Sequence, residues 1–249
     1  MMTPASVSGP RLETSAGIAE LGGRVVVWGR DLHHECLDFS FVQYLLFSVT
    51  GREFSVSQAR VFERLWISTG YADARIWCNR IAAYMGSARV PPSLSMCAAI
   101  AASNSVGYGF GALRDAYAVQ LEIPENSAER EAWLAAVFAD RRVLAGYGRP
   151  IHNGDERIPV ALHILTEEGV SAGPALRRAF WLHFRLRERK GIQMNIAAVF
   201  AAIGADFGLD AREFEQFMLL MLTPGYSAVY ADQRERPAFT FLAGHQSLR

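Results

Sequence analysis

Apolar residues recur at helical spacing along most of this chain, and this pattern restricts its possible folds more than any other feature. Residues three and four positions apart share one face of a helix. The residues with this spacing form four groups: Val61, Phe62, Leu65 and Trp66; Trp133, Leu134, Val137 and Phe138; Leu176, Phe180 and Phe184; and Phe214, Phe217, Met218 and Met221. The sequence therefore predicts an all-α protein.

Polar residues at the expected helix ends support this prediction. Ser57 can cap the helix that carries the first group, and Gly51 can end an earlier helix that includes Phe39 to Phe47. The pairs with capping-box spacing are Asn126 with Glu129 and Asp210 with Glu213. The second pair is predicted to begin the last long helix.

The N-terminal part of the chain departs from the helical pattern. Residues 1–23 are small and polar, and we expect them to form a loose arm. The segment from Arg24 to Trp28 is the one convincing β-run, and the Gly-Arg-Asp that follows it is typical of a turn. A long, weakly polar segment, Pro91 to Leu113, is too polar to span a membrane and fits a buried helix.

Charge and cysteine content exclude several classes of protein. The 25 basic and 25 acidic residues balance, which argues against nucleic-acid binding and against disorder. Lys190 is the single lysine, so the positive charge is almost all arginine. Arginine suits carboxylates and phosphates, although a biased codon composition in the source genome is the simpler explanation of the excess. Three well-separated cysteines predict neither disulfides nor a metal site, and no secretory signal is recognisable, so we expect a cytoplasmic protein.

Four segments carry motifs in a fixed order. They are VVVWGRDLHHECLDFSFVQYLLFSVTGREFSVSQ; CNRIAAYMGSARVPPSLSMCAAIAA, continued by GYGFGALRDA; GYGRPIHNGDER; and MNIAAVFAAIG, followed later by AVYADQRERP. They resemble the citrate synthase superfamily, with its "LLxTGE", "HNxxxxARxxxS", "GFGHRVYKxxDPR", "NVDFYSG" and "EQRxxxRP" motifs. In length and pattern the chain is most similar to citryl-CoA lyase and to the lyase module of ATP-citrate lyase.

The resemblance implies a helical homodimer in which a small domain interrupts a large one. Mapped onto this chain, the large domain covers residues 24–114 and 192–249, and the small domain covers 115–191. The cleft between the two domains would hold the active site. The small residues from Ser95 to Ser105 would suit the close-packed dimer interface of the family, or equally a helix buried within one subunit.

The resemblance also implies three catalytic groups, and none of them is present at the aligned position. The carboxylate that takes a proton from the acetyl thioester falls on Ala197, and the histidine of the "GFGH" motif falls on Arg149. The histidine that precedes the asparagine of the second motif falls on Cys78. A shift of the alignment would bring His152 or Asp206 near these positions.

The residues for ligand binding match the family better. The resemblance places CoA at Gly146, Gly148, Asp155 and Arg157, although Glu156 stands where the family has proline. It places the carboxylate substrate at Asn79, Arg80, Arg234 and Arg236, of which the last two would reach a neighbouring subunit. The candidates for catalysis are then Arg149, His152 and Cys78.

Other candidate residues are weaker. Cys78 is either a nucleophile activated by arginines or a small buried packing residue. Consecutive residues on a helix point in different directions, so the run from His33 to Glu35 does not form a metal site easily. GYGFG at 107–111 resembles a phosphate loop only superficially, because the sequence predicts no strand before it and contains no GK[ST] after it.

The sequence as a whole predicts a divergent enzyme that acts on an acyl-CoA and a carboxylate substrate, without a metal. The alternative is a catalytically inactive dimer with a binding or regulatory role. Neither a nucleic acid nor a membrane is an expected partner.

Overall fold

The computed structural model describes residues 14–20, 22–105, 107–140, 142–149 and 154–242. Its contacts divide the chain into two compact units, and the division falls between Phe54 and Ser55. The helix-rich composition confirms the predicted all-α class. The predicted boundaries of a large and a small domain remain a prediction.

The first unit contains a small antiparallel sheet and one helix. The strands are β1, Gly17–Ala19; β2, Val25–Val27; and β3, Arg30–Asp31. They lie in the order β1-β2-β3. The predicted β-run is therefore confirmed as β2. However, β1 lies inside the segment predicted as a loose arm, and two residues of the predicted turn form β3.

The helix of the first unit, α1, spans Phe41–Thr50. Ser40 and Gln43 form a capping box at its start. Gly51 ends it with a φ of +69°, a left-handed conformation that costs glycine little. The helix stop predicted at Gly51 is confirmed.

The second unit is a bundle of helices with one short hairpin. Its elements are α2, Val56–Thr69; α3, Trp77–Ser87; α4, Pro92–Ala102; β4, Asn104–Ser105; β5, Tyr108–Gly109; α5, Phe110–Glu122; α6, Ser127–Ala139; α7, Arg157–Glu167; α8, Pro174–Lys190; α9, Ile196–Asp206; α10, Ala211–Met218; and α11, Thr223–Glu235. None of the helices in the described ranges combines the length and the apolar composition needed to cross a membrane.

The structure corrects the predicted course of the chain between Pro91 and Leu113. A single buried helix was expected, but α4 ends at Ala102 and the β4–β5 hairpin follows before α5 begins. Gly109 permits this reversal because its φ is +72° and a Cβ there would lie 2.4 Å from the carbonyl oxygen of Ser103.

Helix caps agree with the sequence in part. Asn126 caps α6, and Asp210 with Glu213 forms the capping box of α10, as predicted. The cap of α2 is Ser55 and not Ser57. α10 is also not the last long helix, because it ends at Met218 and α11 follows.

The apolar stripe predicted for α8 has the wrong phase. Leu176 is buried as expected, but 59% of Phe184 is exposed. The buried face contains Ala179, Leu182 and Leu186 in its place. Arg187, Arg189 and Lys190 lie in the last turn of the helix and are exposed, where their charges complement the helix dipole.

α9 forms the centre of the second unit. Every residue from Ile196 to Gly204 is buried, and α5 and α8 pack against it. Burying each large side chain stabilises the fold by about 1.5–3 kcal/mol. A helix buried on all sides holds its first turn firmly, and the candidate site is built around that turn.

Candidate functional site

A cavity of about 330 Å³ opens beside the start of α9. Segments from across the second unit supply its walls. The lining residues are Thr69, Tyr71, Ile76, Gly107, Tyr108, Gly109, Ala112, Leu113, Gly148, Arg149, Arg157, Asn195, Ile196, Ala197, Phe200, Met221 and Leu222. Several of the residues singled out in the sequence are therefore brought together, although the motifs that contain them are far apart in the chain.

The glycine turn at 146–148 is fastened to the start of α9 by backbone hydrogen bonds. The N–H of Asn195 donates to the carbonyl of Gly146 over 2.8 Å, and the N–H of Gly148 donates to the carbonyl of Gln193 over 2.7 Å. The Asn195 side chain caps α9 through the N–H of Ala197 and donates to the carbonyl of Gly148. One asparagine thus fixes both the helix start and the turn.

Both glycines of this turn have backbone conformations that other residues rarely adopt, since each has a φ of +87°. Gly146 also lies in close contact with the core. A Cβ at this position would lie 2.9 Å from the Cβ of Ala198 and 3.2 Å from that of Ala116. A Cβ at Gly148 would meet only Cγ2 of Ile192, at 3.9 Å, and Gly148 lines the cavity.

Asp155 connects Arg157 to the first turn of α9. Its carboxylate accepts two side-chain hydrogen bonds from Arg157, both of 2.7 Å, and one from the N–H of Ile196 over 2.8 Å. Burial alone would raise the pKa of Asp155, but the hydrogen bonds and the charge of Arg157 outweigh it and lower the pKa overall. Asp155 is therefore a charged, fully engaged residue that positions Arg157 at the cavity wall.

Arg149 lines the cavity and is paired with Glu156. Its guanidinium donates to the Glu156 carboxylate over 2.5 and 3.3 Å. The Arg149 side chain is only 18% exposed, whereas that of Glu156 is 60% exposed. The hydrogen bond from Arg149 lowers the pKa of Glu156, so both groups are charged at neutral pH.

The wall formed by α9 is apolar. Ile196, Ala197 and Phe200 all face the cavity, and Ala197 occupies the position aligned with the catalytic carboxylate of the resemblance. Asp206 does not replace that carboxylate. It lies nine residues further along α9, about 13 Å away at 1.5 Å per residue, and accepts hydrogen bonds from the N–H groups of Ala175 and Leu176.

Cys78 and Asn79 are buried and are not among the residues that line the cavity. Asn79 donates to the carbonyls of Tyr71 and Asp73 over 2.6 and 3.1 Å, and so fixes the loop that places Tyr71 in the wall. The thiol of Cys78 has no exposed surface. This burial agrees with the packing interpretation of Cys78.

The three arginines predicted to bind the carboxylate substrate are exposed and do not line the cavity. Arg80 donates to the carbonyls of Ala74 and Arg75. Arg234 donates to the hydroxyl of Tyr230, and Arg236 forms a bidentate pair with Asp232. Of the five arginines predicted for the site, only Arg149 and Arg157 line the cavity of a single chain.

The structure places two of the remaining histidine candidates, His33 and His34. His152 lies outside the described residues. His33 and His34 lie in the turn before α1, where their N–H groups donate to the carboxylate of Asp31. Among the described residues no group of three histidine, cysteine or acidic side chains is arranged to hold a metal ion.

The β4–β5 hairpin contributes to the cavity, although its sequence does not indicate a site. Gly107, Tyr108 and Gly109 line the cavity, and the glycine-rich segment that contains them matches a phosphate loop only superficially. Burial raises the pKa of Tyr108 to about 12, so its hydroxyl is neutral at physiological pH. No local signal in the sequence indicates that Tyr108 faces the site.

Solved structures share this arrangement of helices. Citryl-CoA lyase from Hydrogenobacter thermophilus superposes with a TM-score of 0.79 at 19% identity, over 91% of this chain and 88% of its own. Citrate synthase from Thermoplasma acidophilum, in complex with carboxymethyl coenzyme A and oxaloacetate, gives 0.61 at 18% identity. The chain has the citrate synthase fold.

The match differs in extent between these structures. The similarity covers 80% of this chain and 54% of the Thermoplasma citrate synthase. ATP citrate lyase from Methanothrix soehngenii, in complex with citrate and coenzyme A, gives a TM-score of 0.77 at 14% identity, over all of this chain and 42% of its own length. No protein-family model and no curated protein matches the sequence.

Proposed function

We propose that this chain acts on a CoA thioester and a carboxylate substrate, and makes or breaks a carbon–carbon bond beside the thioester with a non-standard set of catalytic groups. One observation carries the proposal. Arg149 and Ala197, aligned with a catalytic histidine and the catalytic carboxylate of the resemblance, line one cavity with Gly148 and Arg157. Solved structures of the same fold contain CoA compounds with citrate or oxaloacetate, which supports this ligand class.

In this proposal the glycine turn and Arg157 receive the thioester. Gly148 lines the cavity and carries no side chain, so a ligand can approach its backbone closely, while Gly146 lets the turn pack against Ala198. Asp155 acts as a positioning residue, because its carboxylate is fully engaged by Arg157 and by the N–H of Ile196.

Cleavage of the carbon–carbon bond requires three steps. A base takes the proton of a hydroxyl group, the bond breaks with its electron pair passing to the thioester as an enolate, and a proton returns to the enolate carbon. The cation of Arg149 would stabilise the negative charge on the enolate oxygen. Alanine at 197 offers no base, so we assign the proton transfer to His152.

The proposed enzyme is a homodimer. Arg234 and Arg236 are exposed, which is compatible with a role in the site of a neighbouring subunit. Asn79 supports the site through the Tyr71 loop, and Arg80 lies on the same helix, α3. Cys78 contributes to chemistry only if its buried thiol becomes accessible.

Thermal unfolding with CoA, acetyl-CoA, citrate and oxaloacetate tests the ligand class. A ligand at 100 times its dissociation constant stabilises the fold by about 2.7 kcal/mol. We expect CoA and acetyl-CoA to raise the melting temperature, and Arg157→Gln to abolish this shift. Loss of binding by all four compounds would remove the basis of the proposal.

Ala197 specifically favours the alternative, an inactive dimer that binds a thioester without turning it over. An assay of citryl-CoA turnover, monitored through the appearance of free CoA or acetyl-CoA, separates the two functions. Binding without turnover on any oxo acid or citryl thioester would support the alternative. An active chain that loses turnover in Arg149→Gln and His152→Gln would support the enzyme.

A further inference from the structure

The two cations of the cavity differ in how firmly their charge is already neutralised. Arg157 is held by Asp155, whose side chain has no exposed surface and accepts from four N–H donors. Replacing this partner by a ligand would leave a buried carboxylate unpaired, which is costly. Arg157 therefore keeps Asp155 as its partner when a ligand binds.

Arg149 is in the opposite situation. Its partner Glu156 is 60% exposed and can turn into water without losing solvation, whereas Arg149 stays at the cavity wall. An incoming carboxylate can thus replace Glu156 as the partner of Arg149. Among the described residues that line the cavity, Arg149 is the one cation with an exchangeable partner, whereas Arg157, the other charged side chain there, stays paired with the buried Asp155.

The rest of the described wall is suited to an apolar group. The apolar lining residues come from the Tyr71 loop, from α5, from α9 and from the link between α10 and α11: Ile76, Ala112, Leu113, Ile196, Ala197, Phe200, Met221 and Leu222. The hydroxyls at the wall belong to Thr69, Tyr71 and Tyr108. A second carboxylate placed against these residues would be buried without a cation.

We infer that the carboxylate substrate of this site has a single carboxylate, bound by Arg149, and an apolar body, so that the cavity takes an aliphatic 2-oxo acid and rejects dicarboxylates and tricarboxylates. This inference rests on the proposed function, from which the 2-oxo acid follows as the partner of the thioester. Glu156 sets the specificity by competing for Arg149, because any ligand must displace it.

Two oxo acids with the same head group and different tails test the inference. 4-Methyl-2-oxopentanoate has an apolar tail where oxaloacetate has a second carboxylate. Calorimetric titration of the full chain, alone and saturated with acetyl-CoA, should show the aliphatic acid binding about tenfold or more tightly than oxaloacetate. Across pyruvate, 2-oxobutanoate and 2-oxopentanoate, affinity should rise about fourfold with each buried CH₂.

Variants of the Arg149–Glu156 pair test the exchange directly. Arg149→Gln should weaken binding of 4-methyl-2-oxopentanoate by about tenfold or more, because a charge-assisted bond is lost. Glu156→Gln should strengthen binding about two- to fivefold, since an exposed competing ion pair is removed. Glu122→Gln is the matched control. Glu122 forms an ion pair with Arg142 away from the cavity, with the two side chains 39% and 42% exposed, and its loss should leave binding unchanged.

The outcomes separate this inference from the proposed function. Oxaloacetate or citrate binding as tightly as the aliphatic acid would overturn the inference and leave the proposed function standing. Binding of acetyl-CoA without binding of either oxo acid would also overturn the inference and leave the proposed function standing. If no thioester and no carboxylate binds, both fail together. Unchanged or weaker binding in Glu156→Gln would contradict the competition.

Discussion

Asp155 joins two parts of the site through one carboxylate. Replacing it with asparagine removes one charged acceptor and leaves Arg157 without its partner. We expect Asp155→Asn to lower the free energy of unfolding by about 3 kcal/mol, as for other broken buried ion pairs. Urea denaturation at pH 7 measures this loss. Asp73→Asn is the control, because the Asp73–Arg75 pair is exposed and its removal should have no measurable effect.

The same carboxylate gives stability a dependence on acidity. The pKa of Asp155 is lower in the folded chain than its ordinary value of 3.8. Its contribution is therefore complete above that value and is lost as the pH falls through the folded pKa. Asp155→Asn should reduce the loss of stability of the chain below about pH 4; an unchanged acid transition would contradict the assignment.

Gly146 combines a left-handed backbone with close packing. Gly146→Ala should destabilise the chain by about 1–3 kcal/mol more than Gly208→Ala, because only the first adds overpacking to the backbone strain. Gly208 has a φ of +77° and nothing within 4 Å of an added Cβ, so it isolates the backbone cost. Thermal unfolding compares the two variants; equal losses would show that the contact with Ala198 is unimportant.

Individual site residues could be predicted only where a motif marked them. Arg149, Gly148 and Arg157 belong to one recognisable segment and do line the cavity. Tyr108 and Phe200 line it too, but tyrosine and phenylalanine are so common in helical cores that neither stands out in the sequence. Whether a side chain faces a cavity depends on the elements around it, and periodicity does not carry that information.

At the scale of elements, the helices were predictable, but the face that each helix buries was less so. α8 is apolar over much of its circumference, so more than one stripe satisfies the spacing. The stripe through Phe180 and Phe184 contains the larger side chains, but Leu182 and Leu186 are the buried residues of this helix, which packs against α9. Caps are equally local: Ser55 and Ser57 both suit the start of α2, and only Ser55 has Gln58 three residues on to complete a capping box.

His183 on α8 holds the segment that leads into α9. Its Nδ1 accepts the N–H of Met194 over 3.0 Å, which requires this nitrogen to be unprotonated. Burial, assisted by the charge of Arg187, lowers the pKa of His183 below its ordinary 6.5. The unfolded chain then binds the proton more readily, so stability falls as the pH drops below 6.5 towards the folded pKa.

The variant His183→Asn should remove this part of the pH dependence. Asparagine can accept the same N–H but does not titrate. Between about pH 5 and 6.5 we expect the melting temperature of the variant to change less steeply with pH than that of the parent chain. His163→Asn is the control, because His163 is exposed on α7. Parallel slopes for all three proteins would exclude a role for His183.

At the scale of the whole molecule, α4 has an outer face that one chain leaves open. The helix buries only Ser95 and Ala99, while Leu94 is 57% exposed and Cys97 and Ala101 are exposed as well. The small residues on this helix would let a second copy approach closely. This face is therefore our candidate for the contact in the proposed homodimer.

A charge on this face should separate the subunits. Leu94→Arg should weaken dimerisation about a hundredfold or more, because an unpaired charge would be buried. Leu121→Arg on α5 changes an equally exposed leucine and should leave the dimer intact. Sedimentation equilibrium measures both variants. A parent chain that is monomeric at all concentrations would refute the dimer itself.

The sequence by itself determined the helical class, the starts of α6 and α10 and the order of the motifs. These depend on interactions between residues close in the chain, such as caps and the spacing of apolar side chains. The tertiary structure alone decided which motif residues meet. It brought Arg149 and Ala197 to one cavity, left Arg80 outside, buried Cys78 and added Tyr108. Such contacts depend on packing between segments that are distant in the chain, and only the folded arrangement of the helices fixes them.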